Sequence, residues 1–558
     1  MSANIHGAPR TFNGMARPVR VTTAAEAAAR DADAIAAGVD GWALMYAAGS
    51  AAADFILRNF SERLQNGVAV YAGAGNNGGD AYVVASILKN AGVAVTLHAI
   101  GAPKTDDAKR AAQLLHHTRP SGSTNAVSGH AVHGKTATIA ANAGIIVDGI
   151  LGSGQRGELR DAARSAAREI NSAAKSGAII VSLDLPTGLN ATTGEIATDA
   201  VHAHYTLSFG TMKRAHVLQR SRVGEVTVFD IGLGEHADKN DGAWLFAEPS
   251  MLTPLVPEIS WDSHKGTRGR IAIAGGARGM AGAIVLASRA ALRSGAGLVY
   301  AHVAKDSVLP LQIGVPQAVA REWTITPNNV HAVAIGPGLG RTRSSNRVLD
   351  TMLNATVGIP TVLDADALTL IAGGDEHADT DLDEVIEPRT HGALAVSRLR
   401  AVALNRSIVI TPHVGEFARL IGDPVADSLQ GRIAQAQELS ARTGVCILLK
   451  GSPTVILSPD HSTPIIVARG TPVLATGGSG DLLTGIIGAL LGQGASPRNA
   501  AAIGAWIHGR AAELATAREG SVRGVTLEEV LVAMPAAWSE LSNATPPSGP
   551  ILAQLPAL

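Results

Sequence analysis

The chain carries two glycine-rich segments, each closed by an aspartate. The first, Gly75-Asn76-Asn77-Gly78-Gly79-Asp80, joins glycines, which let a backbone approach a ligand, to asparagines, which tolerate strained turns and offer carbonyl oxygens. Backed by a helix N-terminus, such a loop presents unpaired N–H groups to a phosphate. Plain turns use Gly and Asn as well, so the loop alone does not decide. Asp148 and Asp184 each follow an apolar run, where open α/β sheets place their ligands. One aspartate there can simply cap a helix. Two of them plus the asparagine loop describe a cleft of hard oxygen donors. The second segment, Ala475-Thr476-Gly477-Gly478-Ser479-Gly480-Asp481, directly precedes an apolar run. Its backbone amides at a positive helix end suit a transferring phosphoryl group, and Asp481 beside them can take a hydroxyl proton as general base. Its plainer role is a helix-start aspartate that favours the dipole.

These loops need strands to carry them. Val68-Ala69-Val70-Tyr71 leads into the first loop, Val83, Val84, Ile87 and Leu88 recur behind it at helical spacing, and Val93 to Leu97 returns to strand. Ile145-Ile146-Val147 and Ala178 to Leu183 are further runs that stop at Asp148 and Asp184. Continuous apolar runs of this kind suit strands buried on both faces of a parallel sheet. Ala24 to Ala37 reads as a helix ahead of it. Gly234 to Gly242 is polar and charged, and reads as a linker. The rhythm then restarts with Arg270 to Ala274, a helix over Ile284 to Leu292, and a strand over Leu298 to Val303. Later come IVITPHVGE, CILLKGSPTVIL and a helix over Leu482 to Leu491. Gly373 to Arg398 reads as a surface excursion between strands. The two halves show no evident internal repeat. The fold class is α/β in two domains: a Rossmann-like three-layer αβα sandwich over 1–235, a linker over 236–244, and a second αβα domain over 245–558.

Composition bounds the function. At 558 residues, 46% hydrophobic and 17% charged, the chain has ample core material and is not disordered as a whole. Lys+Arg 46 against Asp+Glu 47 gives a net charge of −1, so no chain-wide field attracts nucleic acid or anionic membrane. The single cysteine, Cys446, forms no intramolecular disulfide, builds no thiolate metal site, and reads as packing. The first residues lack the apolar run of about 7–15 residues of a secretory signal, and Arg289 and Arg293 interrupt the most apolar stretch, Gly282 to Val303. A soluble, cytoplasmic protein is expected. A homo-oligomer is compatible with the composition, but no sequence feature locates its interface.

In the first half, AGNNGGD, DGILGSG, DLPTGLN, Phe209 to Lys213 and VGEVTVFDIGLG stand in order. Most of residues 20–235 thus resembles the NAD(P)H-hydrate epimerase domain. The resemblance implies that Asn77, Asp148 and Thr187 coordinate a potassium ion, a role suited to hard oxygen donors. It also implies that Asn76, Asn77, Gly78, Gly79 and Asp80, then Gly152, Ser153, Gly154, Gln155, Arg156, Gly157 and Glu158, and Asp184 contact the hydrated dinucleotide. Asp184 is the candidate for acid/base work at its ring. The family usually has serine where Thr187 stands, which keeps the hydroxyl, and commonly glycine where Ala81 stands.

From about Trp261 to Gly509, HKGTRGRIAIAGG, AGAIVLASRAALRSGAGLV, IGPGLG, LDADAL, TPHVGEF, KGSPTVI and GGSGD follow in order. This half resembles the ribokinase-like ADP-dependent NAD(P)H-hydrate dehydratase. That likeness implies a ribokinase-like fold, with Ala283, Gly338, His413 and Asp481 at the hydrated nicotinamide nucleotide. Lys450, Gly451, Ser452, Pro453, Thr454 and Gly480 would hold the ADP, with Mg2+ on its phosphates and no motif fixing its ligands. Apart from its place in TPHVGE, His413 reads as an ordinary loop histidine. The implied substrates are NADHX and NADPHX. The rival reading is a ribokinase-like kinase for a vitamin precursor, which shares GGSGD; TPHVGE, HKG and the attached first domain argue against it. A non-catalytic nucleotide sensor would need none of the proton-transfer aspartates.

Overall fold

In a computed structural model, which describes residues 11–12, 15–16, 18–115, 143–239, 242–373 and 392–542, the chain divides into two units between Trp244 and Leu245. The apolar runs of the first half become a six-stranded sheet, all parallel, ordered Glu225–Phe229, Tyr205–Phe209, Ile179–Leu183, Ile145–Gly149, Val68–Ala72, Val95–Ala99. The chain enters at Val68–Ala72, steps outward to Val95–Ala99, then reverses past its start with Ile145–Gly149. The crevice at such a reversal, beyond the strands' carboxyl ends, is where doubly wound sheets bind ligands.

Alternation along each strand builds three layers. Val70 and Val147 face Met45 and Ile56 of the helix Gly41–Asn59 and Val84 and Leu88 of the helix Asn76–Asn90. Tyr71, Ile146 and Ile180 face Ala167 and Ile170 of the helix Asp161–Lys175. The glycine loop is not a loop ahead of a helix: the helix begins at Asn76, so Asn76 to Asp80 form its first turn. Packing overrides the poor helix propensity of that stretch. A Cβ on Gly78 would stand 1.9 Å from the carbonyl oxygen of Gly73, and one on Gly79 2.6 Å from the Met45 side chain. Gly78→Ala is therefore expected to destabilise this unit by about 3 kcal/mol, seen as a lower denaturant midpoint. An unchanged midpoint would show that the close approach is not required.

The polar segment read as a linker also folds. Gly234–Asp238 is a 3-10 turn, and buried Arg30 donates to the carbonyls of Ala237 and Lys239. The segment is polar because a buried guanidinium, not an apolar face, holds it. Residues 240–241 lie outside the described residues.

The second unit has a mostly parallel sheet. It runs from Val319–Glu322 through Leu298–Val303, Arg270–Ala274, Ala332–Ile335, Thr361–Leu363 and Ile408–Ile410 to Cys446–Leu449. Thr454–Ser458 and His461–Val467 then continue it antiparallel. The order in which strands are added reverses between the parallel neighbours Arg270–Ala274 and Ala332–Ile335. The apolar helix starts at Ser479, so Asp481 lies in its first turn. Gly485 lets that helix touch the helix Ala281–Arg293, since a Cβ there would stand 2.1 Å from the Ala287 carbonyl oxygen. Cys446 is buried in the core, and burial pushes its thiol up to about 12. Of the expected excursion, Gly392 to Arg398 belongs to the helix Gly392–Ala403; residues 374–391 lie outside the described residues. Among the described residues no helix is long and apolar enough to cross a membrane.

Candidate active site

In the first unit Asp148 ends its strand opposite Ser182 of the neighbouring one. Its carboxylate is wholly buried. Oδ1 accepts from Thr187 Oγ1 at 2.6 Å and Ile150 N at 3.3 Å, and Oδ2 from Thr187 N at 2.8 Å and Ser182 Oγ at 2.9 Å. Burial raises its pKa, and these donors pull it back down. Nearby, Gly152 separates Asn77 from Asp184: a Cβ on it would stand 3.3 Å from Asn77 Cγ and 3.1 Å from Asp184 Oδ2. Both polar atoms of the Asn77 amide are buried without a partner among the described residues. An unsatisfied buried amide carries a cost that a ligand would relieve. Ala81 is buried, with its methyl over Gly149.

Asp184 follows the adjacent strand in an unusual backbone. Its φ is +61°, and Leu185 N–H closes a three-residue turn onto Leu183 O at 2.7 Å. Turns of that hand are rare and strained, costing about 1–3 kcal/mol, and strain of this kind gathers at functional sites. Asp184 Oδ2 accepts from Ser153 N at 3.0 Å, which ties the Gly152–Glu158 segment to it. Oδ1 lies 2.5 Å from Lys213 Nζ, and that ammonium also donates to Ser208 Oγ, Phe209 O and Thr211 O. Asp80 is buried too, its carboxyl held well above the ordinary range by burial, then by Asp184 and Asp31, against the pull of Lys213. Within the segment, Arg156 folds back on the carbonyls of Ser153 and Gln155, Gln155 Nε2 donates to Gly157 O, and Glu158 accepts from Thr198 N. Gly154 has open space around it.

In the second unit the amides of Gly477, Gly478 and Gly480 have no protein partner among the described residues. They stand at the N-terminus of the helix Ser479–Gly492, the arrangement that receives anions. Gly480 lies against a charged pair: Lys450 Nζ donates to Asp364 Oδ1 at 2.8 Å, and a Cβ on Gly480 would be 3.3 Å from both Asp364 Oδ2 and Lys450 Nζ. Thr484 Oγ1, one turn on, donates to Asp364 Oδ2 at 2.8 Å. Burial, then the Asp364 carboxylate, lift Asp481 to about 7 against the pull of Lys450. A carboxyl poised there suits a general base at neutral pH.

Lys450 N–H donates to Pro412 O at 2.9 Å, joining the segment Lys450, Gly451, Ser452, Pro453, Thr454 to TPHVGE. His413 caps the helix Val414–Ile421, its Nδ1 accepting from the amides of Gly415 and Glu416, while Glu416 Oε2 lies 3.7 Å from Lys450 Nζ. His413 thus serves as a cap, with its side chain 55% exposed. Gly338, at φ +56°, faces Ala283: a Cβ on it would stand 3.0 Å from that of Ala283. The geometry therefore joins Asp481, Gly480, Lys450 and His413 through Asp364 and Glu416, and Ala283 with Gly338. Sequence reasoning assigned no role to Lys213, His216, Asp364, Glu416 or Thr484. Asp364 ends the run Thr361-Val362-Leu363, the very signal that marked Asp148 and Asp184.

Open α/β sheets bind ligands beyond the carboxyl ends of their strands, where the strand order reverses, and the sheet of each unit has such a reversal. A family model described as NAD(P)H-hydrate dehydratase matches residues 271–535, and one described as YjeF-related protein N-terminus matches 41–215. The bifunctional NAD(P)H-hydrate repair enzyme of Escherichia coli K12 is 34% identical over 470 residues, covering 81% of this chain and 81% of its own. That of Leishmania infantum is 31% identical over 560 residues, covering 93% of each. A crystal structure of an ADP/ATP-dependent NAD(P)H-hydrate dehydratase from Bacillus subtilis, co-crystallised with ATP and Mg2+, is 30% identical. It covers 53% of this chain and 98% of its own at a TM-score of 0.44. The chain belongs to the family of bifunctional NAD(P)H-hydrate repair enzymes.

Proposed function

We propose that the unit ending at Trp244 interconverts the R and S epimers of NADHX and NADPHX. The unit beginning at Leu245 dehydrates the S epimer with ADP, giving NADH or NADPH, AMP and phosphate. The observation that carries the second half is Asp481, lifted to about 7 in the turn whose free amides await an anion. Water on C6 of the ring leaves poorly, whereas phosphate leaves well. Asp481 takes the proton of the C6 hydroxyl as that oxygen attacks the β-phosphorus of ADP, and the amides of Gly477, Gly478 and Gly480 receive the transferring phosphoryl. AMP leaves as the new P–O bond forms; the C6–O bond then breaks as C5 gives up its proton to water, which restores the dihydronicotinamide and frees phosphate. Lys450 stands at the donor side, beside Gly480. A magnesium ion on the donor phosphates supplies charge neutralisation; such an ion binds largely through phosphates and one or two carboxylates, and no side chain is assigned to it.

In the first unit Asp184 is the acid/base group. It passes a proton from the adjoining Lys213 ammonium to the departing C6 hydroxyl while the ring nitrogen supports the cation, and the proton released by water returning to the other face restores the ion pair. Asn76 to Asp80 and Gly152 to Glu158 line the dinucleotide. The unpartnered amide of Asn77, with buried Asp148 and Thr187, fits a potassium ion, which when bound supplies positive charge to the ligand's diphosphate. A cytoplasmic location goes with this reading and with the lone cysteine.

The test is dihydronicotinamide absorbance recovered from a mixed R and S NADHX pool with ADP and magnesium, with potassium present or omitted. Recovery of the whole pool, reduced by Asp148→Ala to a fast partial phase, is expected. Recovery of the S fraction alone leaves a dehydratase and removes the epimerase. No recovery with ADP or ATP turns the reading towards a vitamin-precursor kinase.

A further inference from the structure

Beside the Asp184–Lys213 pair stands a histidine that no motif marked. His216 is wholly buried on the short helix Arg214–Leu218. Its two ring nitrogens reach the backbones of both members of the pair. Lys213 N–H donates to Nδ1 at 3.0 Å, and Nε2 lies 2.9 Å from the carbonyl oxygen of Asp184. A ring nitrogen that accepts holds no proton, so the neutral ring carries its proton on Nε2 and donates it to Asp184. Burial, aided by the Lys213 ammonium, pushes the imidazole down to about 4, so this tautomer persists at neutral pH.

The bond to Asp184 falls where the backbone has most reason to relax. Asp184 holds φ +61° in its three-residue turn, and its own N–H is fixed by Leu207 O at 2.7 Å. The carbonyl on its other side is held by His216. Rotation of that peptide would swing the Asp184 side chain away from Lys213. A cationic donor in the same place would compete with Lys213 for the carboxylate, whereas a neutral imidazole holds the backbone and adds no charge.

We propose that His216 is a positioning residue for epimerisation, fixing the backbones of Asp184 and Lys213 in one frame so that carboxylate and ammonium keep their 2.5 Å approach while a proton is exchanged with substrate. The inference rests on the assignment of epimerisation to this unit.

The experiment follows conversion of purified R-NADHX by chromatography, without ADP, for the parent, His216→Leu and His216→Gln. Leu removes both bonds, and Gln keeps an N–H near the position of Nε2. The Leu variant is expected to lose kcat by about 10- to 100-fold with KM changed by no more than about threefold. Gln should regain most of the loss. Parental kcat in the Leu variant overturns the role. Equal loss in Leu and Gln, with KM rising and thermal stability falling alongside kcat, also overturns it, because a merely structural side chain behaves that way. A parent chain that leaves R-NADHX unconverted refutes instead the epimerase assignment on which the role depends.

Discussion

Asp481→Asn is expected to slow ADP-dependent dehydration by about a thousandfold, while epimerisation by the same chain continues at the parental rate. In the parent the dehydration rate should climb with pH through about 7, where burial and Asp364 place the ionisation of Asp481. Stability should move the other way. The unfolded carboxyl ionises near 3.8 and the folded one near 7, so the fold binds that proton more tightly. The contribution of Asp481 to stability is fully present below 3.8 and is lost as pH rises through about 7. Asparagine removes the buried charge. The variant should therefore melt above the parent at alkaline pH and converge with it in acid. A variant that keeps more than about a tenth of the parental turnover would show that the proton goes elsewhere.

Asp184→Asn is expected to lower epimerisation of R-NADHX by about 10²- to 10³-fold and leave dehydration of S-NADHX intact. It also strands Lys213, whose side chain is only 4% exposed. Removing one partner of a buried pair costs about 3 kcal/mol or more, so the single variant should unfold at lower denaturant. Adding Lys213→Met removes the stranded charge; stability should largely return and activity should not. Chemical denaturation and R-epimer conversion, measured on both variants, separate the two effects. Full conversion by the single variant would remove Asp184 from the chemistry.

The strand-end aspartates were the most legible part of this chain, because an apolar run that stops at a carboxylate has one common meaning in a parallel sheet. Asp148 and Asp184 lie where that rule puts them, at the carboxyl ends of adjacent strands. Asp364, after Thr361-Val362-Leu363, obeys the same rule. Helix starts were less legible. Gly and Asn weaken helices locally, so Asn76 to Asp80 and Ser479 to Asp481 read as loops. The decisive fact, Gly78 closing on the Gly73 carbonyl oxygen, belongs to the folded packing. The local structure of the polar segment Gly234–Asp238 was not legible for a related cause: the carbonyls of Ala237 and Lys239 are satisfied by Arg30, more than two hundred residues earlier. Lys213 and His216 could not be paired with Asp184 from spacing, since only the neighbouring positions of the strands Ile179–Leu183 and Tyr205–Phe209 bring them together.

The first turn of the helix Asn76–Asn90 separates two kinds of glycine. Gly75 has nothing within 4 Å of where a side chain would begin, whereas Gly78 and Gly79 are closed in by Gly73 and Met45. Selection for folding alone would therefore preserve the second pair, with or without a ligand. A duplicated copy that had lost its chemistry would keep Gly78 and Gly79 and remain recognisable by them, while Asp184, strained and ion-paired, would be free to drift only together with Lys213, to an uncharged pair that relaxes its turn. In surveys of such chains the glycines report ancestry, and the aspartate reports whether the catalyst is still alive.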